Sequence, residues 1–167
     1  MLRAPGGMGR TFTGGGHRDM AHAYSTGPLE NEVVFGSLSH TESKTAWTKV
    51  LNNNPCHTIR ATILVFALNG TKTPIDSVTL TVRPMASAFH VSDVSSANQF
   101  EVEVGIWPRR AADDVLLGMF GKLENGALNP SHRLVHQEWT PVDDLSYPED
   151  DAKVATSDRR IVKGADG

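Results

Sequence analysis

At 167 residues, with 39% hydrophobic residues and a formal charge of −3, the chain has room for one domain plus appendages. Its charge balance gives no general attraction to nucleic acid or to an anionic membrane. No run approaches the roughly 20 apolar residues of a helical membrane span, and a single cysteine excludes an internal disulfide framework.

The opening Met1-Leu2-Arg3-Ala4-Pro5-Gly6-Gly7 lacks the apolar segment of a Sec signal peptide, so no such leader is expected. Residues 1–30 hold seven of the fifteen glycines and few large apolar side chains. Ordering glycine is entropically costly, so residues 1–38 are predicted to be a mobile arm. Its sparse apolar residues, Phe12, Tyr24 and the run Val33-Val34-Phe35, are the candidate contacts with a neighbouring copy. The run reads as a short donor strand.

Residues 39–142 are predicted to be the folded domain. Trp47, Val50 and Leu51 mark a first strand that ends at Asn52-Asn53-Asn54-Pro55, a strong turn signal. Cys56 follows that turn, where it should be exposed: either an idle thiol or a partner in an intersubunit disulfide. Residues 57–68 form a long strand, with Ile59, Ala61, Ile63 and Val65 sharing a face, and Asn69-Gly70 reads as a two-residue hairpin turn with positive φ at both positions. Residues 75–82 and 88–94 follow, with Phe89 and Val91 assigned to the inward face of the latter.

The cleanest alternation is in residues 99–107, where Phe100, Val102, Val104 and Ile106 interleave with Gln99, Glu101, Glu103 and Gly105. A helix has no use for a period of two. Strands over residues 115–123 and 132–139 complete a set of about seven with no helix between them. The predicted fold is all-β: an antiparallel β-sandwich of jelly-roll or immunoglobulin-like type. Residues 143–167, with Asp143, Asp144, Glu149, Asp150 and Asp151, read as an acidic, solvated tail.

Catalytic and metal chemistry find little support. His132 and His136 are four apart; on a helix they would share a face, but on the expected strand they lie about 13 Å apart, too far for one ion. Glu101 and Glu103 are assigned to an outward strand face and Asp113 and Asp114 to a turn, all solvated. Gly70-Thr71-Lys72-Thr73 lacks the upstream glycine and the helix of a phosphate loop. No nucleophile elbow is present. Neither catalytic residues, nor a metal, nor a cofactor is expected, and the chain reads as no enzyme. Trp107 ends a strand before Pro108-Arg109-Arg110, where an exposed indole could serve as a ligand or sugar platform. Three arginines in the first thirty residues are too few to neutralise many phosphates, so no nucleic-acid partner is expected.

Several stretches are similar to small β-sandwich proteins of spore-forming Firmicutes: Thr45-Ala46-Trp47, Asn53-Asn54-Pro55, Thr58-Ile59-Arg60-Ala61-Thr62, Val65-Phe66-Ala67-Leu68-Asn69-Gly70-Thr71, Phe100-Glu101-Val102-Glu103-Val104 and His132-Arg133-Leu134-Val135-His136. In plan, with a flexible N-terminal connector and no signal peptide, the chain resembles endospore appendage subunits. It departs from them in its one cysteine, where those subunits carry several that cross-link neighbours. The resemblance implies a structural subunit that assembles with copies of itself into an extracellular filament, appendage or surface layer on a cell or spore. The physical reading agrees: an open sandwich has edge strands that accept a partner strand, and one heterologous contact repeats into a filament. A carbohydrate- or ligand-binding module using Trp107, and a virion coat or decoration protein, are the alternatives.

Overall fold

The computed structural model describes residues 21–146, so Phe12 and most of the acidic tail lie outside the described residues. Two antiparallel sheets pack face to face, as the alternation predicted. The first sheet runs β12 (Thr140–Val142), β1 (His22–Ser25), β9 (Gln99–Trp107), β6 (Ile59–Ala67), β7 (Thr73–Val82), with β2 (Leu29–Glu30) also paired to β9. The second runs β11 (Leu128–Val135), β10 (Val115–Lys122), β5 (Thr45–Asn52), β8 (Ala86–Asp93). A separate two-stranded hairpin, β3 (Glu32–Phe35) and β4 (Leu38–Thr41), leaves the sandwich between β2 and β5.

The interior follows from period-two alternation. Ile59, Ala61, Ile63 and Val65 of β6 and Phe100, Val102, Val104 and Ile106 of β9 face Ala46 and Val50 of β5 and Val115, Leu117 and Met119 of β10. All are buried. Short 3-10 segments turn the chain at Arg109–Asp114, where a turn was expected and where Ala111 and Ala112 are buried, and at His136–Glu138, where a strand was expected. The expected strand over residues 132–139 is therefore cut at Val135.

Four expectations are corrected. The arm is shorter than residues 1–38, because His22–Ser25 pairs with both β9 and β12 of its own chain. Tyr24 is buried in the main core rather than offered to a neighbour; it belongs to the inward parity of β1 and packs between His22 and His136, with ring centroids 4.7 and 5.5 Å away. Burial, helped by the Asp113 carboxylate, raises its phenol pKa.

Phe89 points outward, not inward. The register pairs it with Lys49 and Trp47 with Val91, which turns the small or polar Ala88, His90 and Ser92 toward the other sheet. Asn69-Gly70 is not a two-residue turn: the connection spans residues 68–72, and only Gly70 takes a positive φ, 86°. Asn69 instead ties two loops, accepting from the Asn98 N–H at 2.7 Å and donating to the Ser96 carbonyl at 3.0 Å.

Candidate functional site

Three surfaces are built differently, and the contrast between them locates the candidate site. The first is the outer face of the first sheet. Leu64, Phe66 and Ala23 point outward there, and the chain after β12 folds back so that Leu145 covers them. Gly105 leaves the room: a Cβ there would lie 2.7 Å from Leu145 Cδ1. Glu103, expected to be solvated, is only 3% exposed. Its carboxylate accepts from Lys72 Nζ at 2.6 Å, from the Ser146 N–H at 2.7 Å and from the Ser146 hydroxyl. Lys72 also pairs with Glu101 at 2.8 Å and lies 4.4 Å from the centre of the Phe66 ring. Burial lowers the pKa of the Lys72 ammonium, but hydrogen bonds and charge from Glu101 and Glu103 outweigh it and raise it overall. Residues 143–146, predicted to belong to a solvated tail, are thus a strap that closes this face.

The second is the hairpin β3–β4. Its two feet are clamped by a buried polar network. Asn31 Nδ2 lies within hydrogen-bond distance of the carbonyls of Ser43, Val94 and Ala97 at 3.0–3.1 Å, and its Oδ1 accepts from the Ser43 N–H at 2.7 Å. His132, buried rather than on a polar strand face, bonds Ser43 Oγ through Nδ1 at 2.7 Å and the Glu30 carbonyl through Nε2 at 2.6 Å. Asn129 completes the network at 3.0 Å from Ser43 Oγ. His136 leaves the strand and accepts the Leu117 N–H instead, at 3.2 Å. From that base the hairpin projects with Val34 63% and Leu38 72% exposed. Val33 and Val34, two of the predicted donor residues, are therefore on a strand already paired along one edge to β4, and the Phe35 backbone pairs with Leu38. Among the described residues no strand pairs with the other edge of β3.

The third is the outer face of the second sheet. Alternation on β5, β8 and β10 places Trp47, Lys49, Leu51, Phe89, Leu116 and Phe120 outward together. Phe89 is 55% exposed, and Leu51 and Leu116 are exposed with it. Trp47 and Phe89 stack with centroids 5.3 Å apart and planes 10° from parallel. Lys122 Nζ lies 3.6 Å from the Trp47 ring centre, and Lys49 Nζ lies 5.2 Å from that of Phe120. A groove of about 390 Å³ lies at the Lys49 end of this face, lined by Leu51, Phe89, Leu116 and Phe120 with Gly118 among them. Sequence reasoning missed this face because Phe89 was assigned to the core. The usable signal was the run of outward aromatics and lysines at matching parity on β5 and β10.

The remaining predicted sites are scattered. Cys56 is exposed in a turn organised by Asn54 Oδ1, which accepts from the N–H groups of Cys56 and His57 at 2.9 and 2.8 Å. Trp107 ends β9 half-buried, with the Arg60 guanidinium 4.6 Å from its ring centre, so part of the surface a sugar would stack on is taken. Trp139 is buried. Among the described residues no helix is long and apolar enough to cross a membrane. No family, curated protein or solved structure matches this chain.

Proposed function

We propose that this protein is a structural subunit that assembles with copies of itself, as a unit of a filament, an appendage or a surface layer. The observation that carries the reading is the clamped hairpin: a rigid base of buried hydrogen bonds supports a tip that presents Val34 and Leu38 to solvent. Apolar side chains exposed on a projecting two-stranded element contribute nothing to their own core. Burying them against a second copy gains roughly 1.5–3 kcal/mol each. The edge of β3 that no strand among the described residues pairs with adds main-chain donors and acceptors that a partner strand can satisfy. The polar clamp matters because a pre-positioned hairpin loses less entropy on binding than a loose arm would.

Sedimentation velocity and negative-stain microscopy of the full chain test this beside the double variant Val34→Asp/Leu38→Asp, whose substitutions lie on exposed positions and leave the sandwich core untouched. The wild type should form concentration-dependent oligomers or polymers, and the variant should need at least tenfold more protein to do so. A wild type that stays monomeric up to about 1 mM, where even contacts of about −4 kcal/mol are populated, overturns the reading. So does a variant that assembles equally well.

A further inference from the structure

Two lysines on the outer face of the second sheet stand in an unusual position. Trp47 and Phe120 are directly opposite each other across β5 and β10. The Lys122 ammonium sits over the first ring and the Lys49 ammonium over the second. The paired rings are about 5 Å apart, so the two ammoniums, reaching in from opposite ends of the pair, lie over adjacent rings. Neither makes an ion pair among the described residues. Beside them run Phe89, Leu51 and Leu116, exposed and left uncovered by the described residues. The ligand such a face suits is an extended segment with an apolar or aromatic residue followed by two carboxylates on one side.

The chain itself carries that pattern. Immediately after the described residues comes Tyr147-Pro148-Glu149-Asp150-Asp151. In an extended strand Glu149 and Asp151 project to the same side about 7 Å apart, close enough to meet both ammoniums, while Tyr147 and Pro148 supply the apolar part.

Reach decides whose tail it is. Ser146 is tied to Glu103 of β9, the middle strand of the first sheet, on the face opposite the groove. To arrive at the groove, the tail must cross two strand spacings of about 4.8 Å, descend past a sheet about 10 Å away and come back over the edge strand β8, about 25 Å at the least. Asp151 is five residues beyond Ser146 and reaches no more than about 18 Å. The carboxylates of a chain's own tail fall short; those of a neighbour do not.

We propose that the outer face of the second sheet binds residues 147–151 of a second copy, the Glu149 and Asp151 carboxylates meeting Lys49 and Lys122 and the Tyr147 side chain entering the groove beside Phe89. This rests on the reading of the protein as a self-assembling subunit and gives that assembly a direction: tail of one copy onto face of the next, a heterologous contact that repeats.

A charge exchange in full-length chains tests it. Variant T carries Glu149→Lys/Asp150→Lys/Asp151→Lys, and variant F carries Lys49→Glu/Lys122→Glu. Each alone should associate at least tenfold more weakly than wild type in sedimentation velocity. An equimolar mixture should recover association, because the reversed tail of T fits the reversed face of F and the native tail of F fits the native face of T. Either variant associating like wild type overturns the proposal, and so does a mixture that stays as weak as its components.

A second measurement does not depend on assembly. A labelled peptide of residues 145–152, titrated by anisotropy into variant T, should bind and should weaken at least tenfold when Lys49→Glu/Lys122→Glu is added to T. No binding up to millimolar peptide overturns the proposal, as does binding that ignores the two lysines. If wild-type protein assembles but the peptide does not bind, the tail–face contact fails and the self-assembly reading stands; if the peptide binds while wild-type protein stays monomeric at the same concentration, both fail.

Discussion

The two outer faces of the sandwich begin from similar material and end differently. Each carries large apolar side chains beside charged ones: Leu64 and Phe66 with Glu101 and Glu103 on the first sheet, and Phe89 and Leu116 with Lys49 and Lys122 on the second. On the first, the same chain supplies the cover and the counter-charge, through Leu145, Ser146 and Lys72. On the second, nothing among the described residues does either. A buried carboxylate is tolerated only when cation and hydrogen-bond donors converge on it, and Glu103 has both. Ammoniums over aromatic rings beside an exposed apolar groove are the mirror case, with no counter-charge from the described residues.

Substitutions of the same kind should therefore have unequal effects on the two faces. Leu145→Asp should cost about 3 kcal/mol of stability in urea unfolding, from lost burial and from a carboxylate placed beside Glu103. A cost below about 1 kcal/mol would mean that the strap does not hold the first face. Lys72→Ala comes next, at about 2 kcal/mol. It leaves Glu103 buried without its cation, and the figure is reduced from that of a fully buried pair because a third of the lysine side chain is exposed. Since the folded pKa of Lys72 is raised, its contribution is fully present below the unfolded lysine value near 10.4 and is lost only as pH rises through the folded value. The wild-type advantage over Lys72→Ala should accordingly be flat from pH 7 to 9.

Between the two faces, Thr48 offers an internal control: its Oγ1 is buried with no hydrogen-bond partner among the described residues. Thr48→Val should raise stability by about 1 kcal/mol, by removing a desolvated hydroxyl from the core. On the bare face, Phe89→Ser should change the stability of the monomer by no more than about 0.5 kcal/mol while weakening association severalfold. A large loss of stability there would show that the ring supports its own fold rather than a partner.

How much of this was legible depended on whether neighbours in space were also neighbours in pattern. The alternation of β9 placed Phe100, Val102, Val104 and Ile106 correctly because every second residue was apolar and the rest were not. In β8 both parities carry candidates, and hydrophobicity favoured Phe89 and Val91. The actual register, set by pairing with β5, puts Ala88, His90 and Ser92 inward, and a one-residue slip inverts every side chain. Glu103 could not have been read as buried, since the lysine and serine that make burial tolerable lie 31 and 43 residues away. Tyr24 was lost in a glycine-rich stretch whose composition argued for disorder, although four residues around it add a strand to the first sheet. The hairpin run Val33-Val34-Phe35 was visible as a strand, but the network that clamps it was not, because Asn31, Ser43, Asn129 and His132 meet only in three dimensions.

The smallest expected effect sits at the corner where the chain leaves the second sheet for the first. His136 accepts the Leu117 N–H through Nδ1 and presents its ring to Tyr24, and burial lowers its pKa. A depressed histidine pKa means that the folded protein prefers the neutral ring. As pH falls, the unfolded chain takes up the proton first, near 6.5, so stability is full above that value and declines toward the lower folded value, with no further loss below it. Substituting His136→Asn keeps an acceptor in place of Nδ1 but removes the titration. The stability of the wild type minus that of His136→Asn should therefore be constant from pH 8 to 7 and should decrease as pH is lowered from 6.5 to 5, other titrating groups cancelling in the difference. A difference that stays flat would mean the imidazole is protonated as readily in the folded corner as in the unfolded chain. Protonation of Nδ1 removes the lone pair that accepts the Leu117 N–H, so the folded imidazolium would then have to recover that lost hydrogen bond elsewhere.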